Sequence, residues 1–402
     1  MLLLGNHTQR ITPKLDEWIW HVRPRVAKFM DLNASLIQKC EAAGIVTIGR
    51  LHPGEGGDWW TNPEGNGIAR AEQWAQNDAF WVLACVELDN EWFGYNNPEK
   101  WDAADRRQAA FYDRCKQLRS DVEPVAGNCG TGNLLGTDWL KHFKRTIARY
   151  RLYGFHEYDY PTMWWTHDRA LTGPDVPWQW FDYGEQRGNG GCWYMLRYRR
   201  VMSEIHKVRP DALAVITECG ITSAVRGWED LGYAARPQPN NTAESYWRDS
   251  LFRYNSELAR DAYIPGTGGY VIGGDIFQVG IEDGPKWQRF EQLHNGWVAD
   301  RMRELQVGTP SARFEPTSGA IHIDWPEGKM EFSGRFTDMA AEMGSKAGEP
   351  ASDIFYWPDG ETAFQLSTKG MFVWNRQGDK GLFLPATHRR GPDAVTEKLP
   401  SP

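Results

Sequence analysis

The sequence lacks several features that would commit it to a function class. The 402 residues carry 45 basic and 53 acidic side chains, for a formal charge of -8, and no long basic run that would hold a phosphate backbone. Nucleic acid is therefore not an expected partner. No stretch approaches the ~18 uninterrupted apolar residues of a membrane-spanning helix, and Met1-Leu2-Leu3-Leu4-Gly5 is too short, with no basic residue before it, to read as a secretory signal. The expectation is a soluble chain with no visible signal peptide and no membrane partner, its compartment and oligomeric state unassigned. Six cysteines (Cys40, Cys85, Cys115, Cys129, Cys192 and Cys219) are widely spread without paired zinc-ligand spacing. Cys85, Cys129 and Cys219 fall in or beside apolar segments, where a small buried thiol is an ordinary core residue. There is no His-Glu-x-x-His, no short-period repeat, and no glycine-rich phosphate fingerprint after the first apolar run.

What is present is an alternation of apolar runs and amphipathic segments. Expected strands are Leu2 to His7, Val26 to Asp31, Ile45 to Ile48, Phe80 to Leu88, Val122 to Ala126, Tyr153 to Tyr158, Ala212 to Thr217 and Gly269 to Val279. Between them lie helix-like stretches at 33–43, ended by Gly44, and at 69–79, 101–119, 137–149, 192–208, 242–260 and 286–305. Eight strand and helix units of this size favour a closed (β/α)8 TIM barrel over an open doubly wound sheet. The barrel is expected over residues 1–308.

From about residue 310 the texture changes to short β-like runs: 320–324, 330–333, 362–366, 371–374 and 381–384, separated by Gly, Pro, Asp and Asn. Residues 309–402 are expected to form a small β-rich accessory domain, with Gly391 to Pro402 an exposed tail.

In a β/α barrel the segments after the strands gather at one face, so a polar residue after an apolar strand is aimed at a shared pocket. The fourth strand runs into Asp89-Asn90-Glu91-Trp92 and the seventh into Thr217-Glu218-Cys219. Two carboxylates across one mouth suit glycosidic-bond hydrolysis, one donating a proton and the other attacking or activating water. Other polar residues at strand ends are Arg50 and His52 after strand three, Asn128 after strand five, and His156, Glu157, Asp159 and Tyr160 around the end of strand six. Glu157, Asp159 and Asp275 are rival acids. Aromatic residues crowd the same loops: Trp59, Trp60, Trp92, Trp164, Trp165, Trp178 and Trp180. Their flat faces suit the C–H face of a sugar while Asn, Asp and Arg meet its hydroxyls.

The chain resembles the large clan of retaining glycoside hydrolases often called clan A, which includes cellulases, mannanases and β-galactosidases. Its members place an Asn-Glu pair after the fourth strand and a Glu after the seventh, matched here by Asn90-Glu91 and Glu218. The resemblance spans roughly the first 305 residues. It implies that Glu91 is the acid/base, that Glu218 is the nucleophile, that Asn90 contacts the hydroxyl beside the reacting carbon, and that no cofactor is required. Many relatives carry a Trp at the end of strand eight, whereas this chain has Gly273-Gly274-Asp275-Ile276-Phe277, with Phe277 standing in its place. Two alternatives stand beside this reading. A metal-dependent hydrolase would draw on His52, His156, Asp159, Glu218 and Asp275, and a non-catalytic glycan-binding or structural barrel would use neither glutamate chemically.

Overall fold

The computed structural model describes residues 1–51, 59–91, 98–132, 134–159, 163–164, 194–222, 243–264, 268–277, 279–280 and 296–306. Nearer the C-terminus it describes 311–315, 320–324, 355–356, 362–367, 370–375 and 380–385. Eight strands close a barrel in chain order: β1 (Leu4–Thr8), β2 (Val26–Phe29), β3 (Val46–Arg50), β4 (Cys85–Glu87), β5 (Glu123–Cys129), β6 (Leu152–Asp159), β7 (Leu213–Ile221) and β8 (Val271–Phe277). All neighbours are parallel, and β8 pairs back onto β1. The described helices are α1 (Pro13–Val22), α2 (Ala34–Ala42), α3 (Pro63–Ala75), α4 (Trp101–Leu118), α5 (Gly136–His142), α6 (Lys144–Arg149), α7 (Arg197–Ile205), α8 (Ala243–Arg260) and α9 (Gly296–Gln306).

Local chemistry sets where these elements start. Thr12 accepts a hydrogen bond from the Leu15 amide at 3.2 Å and Pro13 opens the first turn of α1. No helix was expected in this polar, aromatic stretch, yet α1 buries Leu15, Trp18, Ile19 and Val22. Asn33 caps α2 in the same way, through the Leu36 amide at 3.0 Å, and Gly44 leaves it at φ 75°. Two expected elements are redrawn. The strand expected from Phe80 begins only at Cys85, because Asn77 accepts from the Ala79 amide at 2.9 Å and sets up a 3-10 turn over Asp78–Trp81. The single helix expected over 137–149 breaks at Phe143 into α5 and α6.

The barrel interior changes character along its axis. Val26, Val46, Ile48, Cys85, Val125, Leu152, Leu213 and Val215 form one buried apolar cluster, separate from the larger core that includes the helices. Strand alternation puts residues two apart on one face, so Lys28 follows Val26, Arg50 follows Ile48 and Glu87 follows Cys85 on the inner face. On β2, β3 and β4 the inner face is thus apolar at the beginning of the strand and charged towards its C-terminal end.

Bulges re-aim two strands. On β5, Gly127 pairs with Gly154 and Cys129 with Phe155, leaving Asn128 as an extra residue at φ 54°. On β7, Ile216 pairs with Phe155 and Glu218 with His156, leaving Thr217 extra. Without that bulge, Thr217 would share the inner face with Val215, and Glu218 would point out among the helices.

Beyond the barrel, β9 (Ser311–Glu315) and β10 (Ala320–Asp324) form an antiparallel pair. A second antiparallel sheet runs β11 (Phe355–Tyr356), β12 (Thr362–Ser367), β13 (Gly370–Asn375) and β14 (Lys380–Pro385). Strands therefore occur at four of the five runs expected there; 330–333 and the tail 391–402 lie outside the described residues. Cys40, Cys85, Cys115, Cys129 and Cys219 are buried free thiols, and Cys192 lies outside the described residues. No helix among the described residues is long and apolar enough to cross a membrane.

Candidate active site

Glu218 is the centre of the charged end of the barrel. Its side chain is 6% exposed, and Oε1 meets Arg50 Nη1 at 2.8 Å, Lys28 Nζ at 3.2 Å and His7 Nε2 at 3.3 Å. Oε2 accepts from the Tyr158 hydroxyl at 3.0 Å and lies 3.5 Å from His156 Nδ1. Burial alone would raise its pKa, but the neighbouring His156, Lys28 and Arg50, with a hydrogen bond from His7, override burial and hold the carboxyl well below its usual range. Glu218 is an ionised, anchored carboxylate. Instead of sitting at the end of its strand, it lies within β7, turned inward by the Thr217 bulge.

Glu91 differs in setting. Its side chain is 44% exposed, and Oε1 lies 2.9 Å from His156 Nδ1. Its backbone adopts φ 46°, and its amide donates to the Asn128 carbonyl at 2.9 Å. His156 is thus shared by the two glutamates, and one ligand atom from each of Glu91, His156 and Glu218 lies within 4.8 Å of the others. Asn90 joins the group from the Glu218 side, its Oδ1 accepting from the same Arg50 nitrogen that holds Glu218.

A ring of buried charge supports Glu218 from below. Lys28 Nζ is 3.0 Å from Glu87 Oε2, with both side chains fully buried. Asp275, on β8, is fully buried, and burial, reinforced by Glu87 and Glu218, pushes its pKa well above the ordinary value against the pull of Lys28. Phe277 stacks with His7 at 4.9 Å and with Tyr158 at 6.0 Å between ring centroids, so it packs against two groups that touch Glu218.

The remaining expected site residues are placed as follows. Asn128 is 1% exposed, and its Oδ1 accepts from the Thr217 hydroxyl at 2.8 Å. Asp159 is fully buried, and its carbonyl accepts from the Thr222 amide at 3.2 Å. Trp164 is buried, donating to the Ser250 carbonyl at 3.0 Å with Arg253 over its ring at 4.0 Å. Trp59 and Trp60 form an edge-to-face pair; Lys100 lies 3.7 Å over Trp60, and the Arg107 guanidinium is 5.0 Å from the Trp59 centroid. Trp60 is 36% exposed. His52, Trp92, Tyr160, Trp165, Trp178 and Trp180 lie outside the described residues. Glu157 faces away from the site, accepting from the Leu196 and Tyr198 amides at 2.8 and 3.0 Å and the Tyr254 hydroxyl at 2.6 Å. It caps α7.

Sequence reasoning missed His7, Lys28 and Tyr158. The available signal was Lys28 itself, one cation inside the apolar run Val26-Ala27-Lys28-Phe29, since a buried lysine demands an acid. Among the described residues, Glu91, His156 and Glu218 are the one set spaced to hold a metal ion. Lys28 and Arg50 already occupy Glu218 and would repel a divalent cation there, so the donor set does not suit a metal.

No protein-family model matches the sequence, and no curated protein matches it. Among solved structures, a β-glucuronidase from Bacteroides uniformis is 10% identical with a TM-score of 0.41, over 69% of this chain and 30% of that one. A β-galacturonidase from Eisenbergiella tayi bound to galacturonate is 14% identical with a TM-score of 0.43, over 73% of this chain and 48% of that one. The catalytic domain of a Thermobifida fusca endoglucanase in complex with cellotetraose is 11% identical with a TM-score of 0.42, over 75% and 92%. The chain thus spans less than half the length of the first two. Likenesses at this level do not assign the chain a family, a reaction or a substrate.

Proposed function

We propose that this protein is a retaining glycoside hydrolase acting on a β-linked oligo- or polysaccharide, with Glu218 as nucleophile and Glu91 as acid/base. The observation that carries the proposal is the unequal pair itself: a buried, cation-anchored Glu218 and an exposed Glu91, joined through His156, with atoms of all three within 4.8 Å of one another. Retaining pairs stand about 5 to 5.5 Å apart, whereas inverting pairs need about 6.5 to 9.5 Å to admit a water.

The environment also selects the attacking atom. Oε1 of Glu218 is taken up by Arg50, Lys28 and His7, while Oε2 carries one hydroxyl donor and lies 3.5 Å from His156 Nδ1, which also meets Glu91. In the first step Oε2 bonds to the anomeric carbon, the bond to the leaving oxygen breaks, and Glu91 gives that oxygen its proton. In the second, water bonds to the anomeric carbon, its proton goes to Glu91, and the ester to Glu218 breaks. Esterification removes one negative charge from the pair, so Glu91 acts as base with Lys28, Arg50 and the His156 ring still in place.

Asn90, held by Arg50, is assigned to the hydroxyl beside the reacting carbon, and Trp59, Trp60 and Phe277 to the apolar walls of the sugar path. Residues 309–402 are assigned to a β-rich accessory unit. The test is intact-protein mass spectrometry after incubation with 2-fluoro aryl glycosides, alongside turnover of a glycan panel. A glycosyl adduct on Glu218, with turnover abolished in Glu218→Gln, is the expected result; unchanged turnover in both Glu91→Gln and Glu218→Gln would sink the assignment.

A further inference from the structure

The two bulges that shape the site are tied to each other. Asn128 is the extra residue of β5 and Thr217 the extra residue of β7, on either side of β6. The Asn128 side chain crosses β6 where Gly154 leaves room, since a Cβ at 154 would overlap Asn128 Oδ1. It reaches the Thr217 hydroxyl at 2.8 Å, and both residues are buried. On its main chain, Asn128 accepts the Glu91 amide at 2.9 Å. One residue therefore contacts the backbone of one glutamate and the immediate neighbour of the other.

We propose that Asn128 is a positioning residue that sets the spacing of Glu91 and Glu218, by locking the β7 bulge through Thr217 and holding Glu91 through its own bulged carbonyl. The inference rests on the retaining reading for its kinetic consequence but not for its geometry. In a regular β7, Glu218 would turn toward the helices, so a device that keeps Thr217 extruded keeps the nucleophile in the barrel. The bulge on β5 does the same for Glu91, whose left-handed backbone is uncommon for a side chain of this type. The Asn128 side chain is turned into the wall and engaged with Thr217, which separates this role from contact with sugar.

The test compares Asn128→Ala, Thr217→Val and Thr217→Ser, with the double variant Asn128→Ala/Thr217→Val, on 4-nitrophenyl glycosides that the wild type hydrolyses. Expected are falls in kcat of roughly 10- to 100-fold in Asn128→Ala and Thr217→Val, because misplacement by about 1 Å costs up to about 10²-fold. KM should change little, the double variant should be no worse than the poorer single one, and Thr217→Ser, which keeps the hydroxyl, should recover most of the rate. A raised KM with unchanged kcat in Asn128→Ala, or additive losses in the double variant, would overturn the proposal. Crystal structures of the same variants give a second readout independent of turnover. The Glu91 and Glu218 oxygens should move apart from their spacing within 4.8 Å; an unchanged spacing in folded Asn128→Ala and Thr217→Val overturns the positioning role even if the wild type cleaves no glycoside.

Discussion

Arg50 Nη1 lies 2.8 Å from Oε1 of Glu218, deep enough in the barrel that water screens the pair poorly. The same nitrogen donates to Asn90, so one guanidinium fixes both Glu218 and the residue beside Glu91. Arg50→Met should lower kcat/KM by about 10²-fold or more, since an anchored charge at the reacting centre is lost. It should also move the acid limb of the pH profile to higher pH. The sign follows from the anchoring: cations hold Glu218 well below the usual carboxylate range, and removing one lets its pKa rise. Arg50→Lys should keep the limb near its original position yet remain slow, because a compact ammonium cannot reproduce the planar fork. A pH-rate series on the three proteins checks both, and an acid limb that stays put in Arg50→Met would remove Glu218 from the nucleophile role.

His7 supplies a pH dependence of stability. Burial, then Lys28, lowers its pKa from 6.5 to about 3, so the folded protein keeps it neutral where the unfolded chain protonates it. Between those values the unfolded state binds more protons, and stability falls as pH falls, by at most about 1.4 kcal/mol per pH unit from this group. Glu41 acts the other way: burial raises it to about 7, so between 4.5 and 7 its contribution is lost as pH rises. Comparison with a variant isolates the His7 contribution. Urea denaturation of His7→Gln and wild type between pH 5 and 6.5 should show a weaker loss of stability on acidification in the variant. Equal slopes would mean His7 is protonated in the folded state.

Gly154 offers a test of packing with a built-in rescue. A methyl group there would overlap the Asn128 amide oxygen and press on Val125, so Gly154→Ala should destabilise the barrel by about 1 to 3 kcal/mol. Removing the Asn128 side chain opens the space, and Gly154→Ala/Asn128→Ala should be less destabilised than the sum of its parts. Thermal denaturation of the three variants measures this, and strict additivity would show that Asn128 is not the obstacle.

These relationships mark where the sequence stopped being readable. Apolar runs such as Val46 to Ile48 and Ala212 to Ile216 declare the strands because burial on both faces demands them, and Asn90-Glu91 stands out as polar residues beyond such a run. The facing of Glu218 depends on the single extra residue at Thr217, and no local pattern distinguishes a bulged Thr from an ordinary strand Thr. His7, Lys28 and Tyr158 lie within strands rather than after them, so a rule that looks only past strand ends passes over them. Trp164 shows the reverse error of emphasis: a loop tryptophan reads as a sugar platform until its indole is seen donating to Ser250 in the core.

Glu157 stands beside His156 in sequence and carries the same carboxyl group as the two glutamates of the site, yet alternation sends it to the helix layer. There it meets two amides at the start of α7 and the Tyr254 hydroxyl, and no hydrogen bond or ion pair joins it to Glu91, Glu218 or His156 among the described residues. Burial raises its pKa while those three donors pull it down, and the carboxyl accepts from the Leu196 and Tyr198 amides, which would otherwise be unsatisfied. Glu157→Gln presents an amide nitrogen to donors on one side and should cost about 1 to 3 kcal/mol of stability. The properly folded fraction should turn over glycosides within a few-fold of wild type, whereas the properly folded fraction of Glu218→Gln should be inactive. Active-site titration with a covalent glycosyl probe, combined with thermal denaturation, separates the two effects. If Glu157→Gln kept wild-type stability and lost turnover as completely as Glu218→Gln, the acid paired with Glu91 would have to be reassigned.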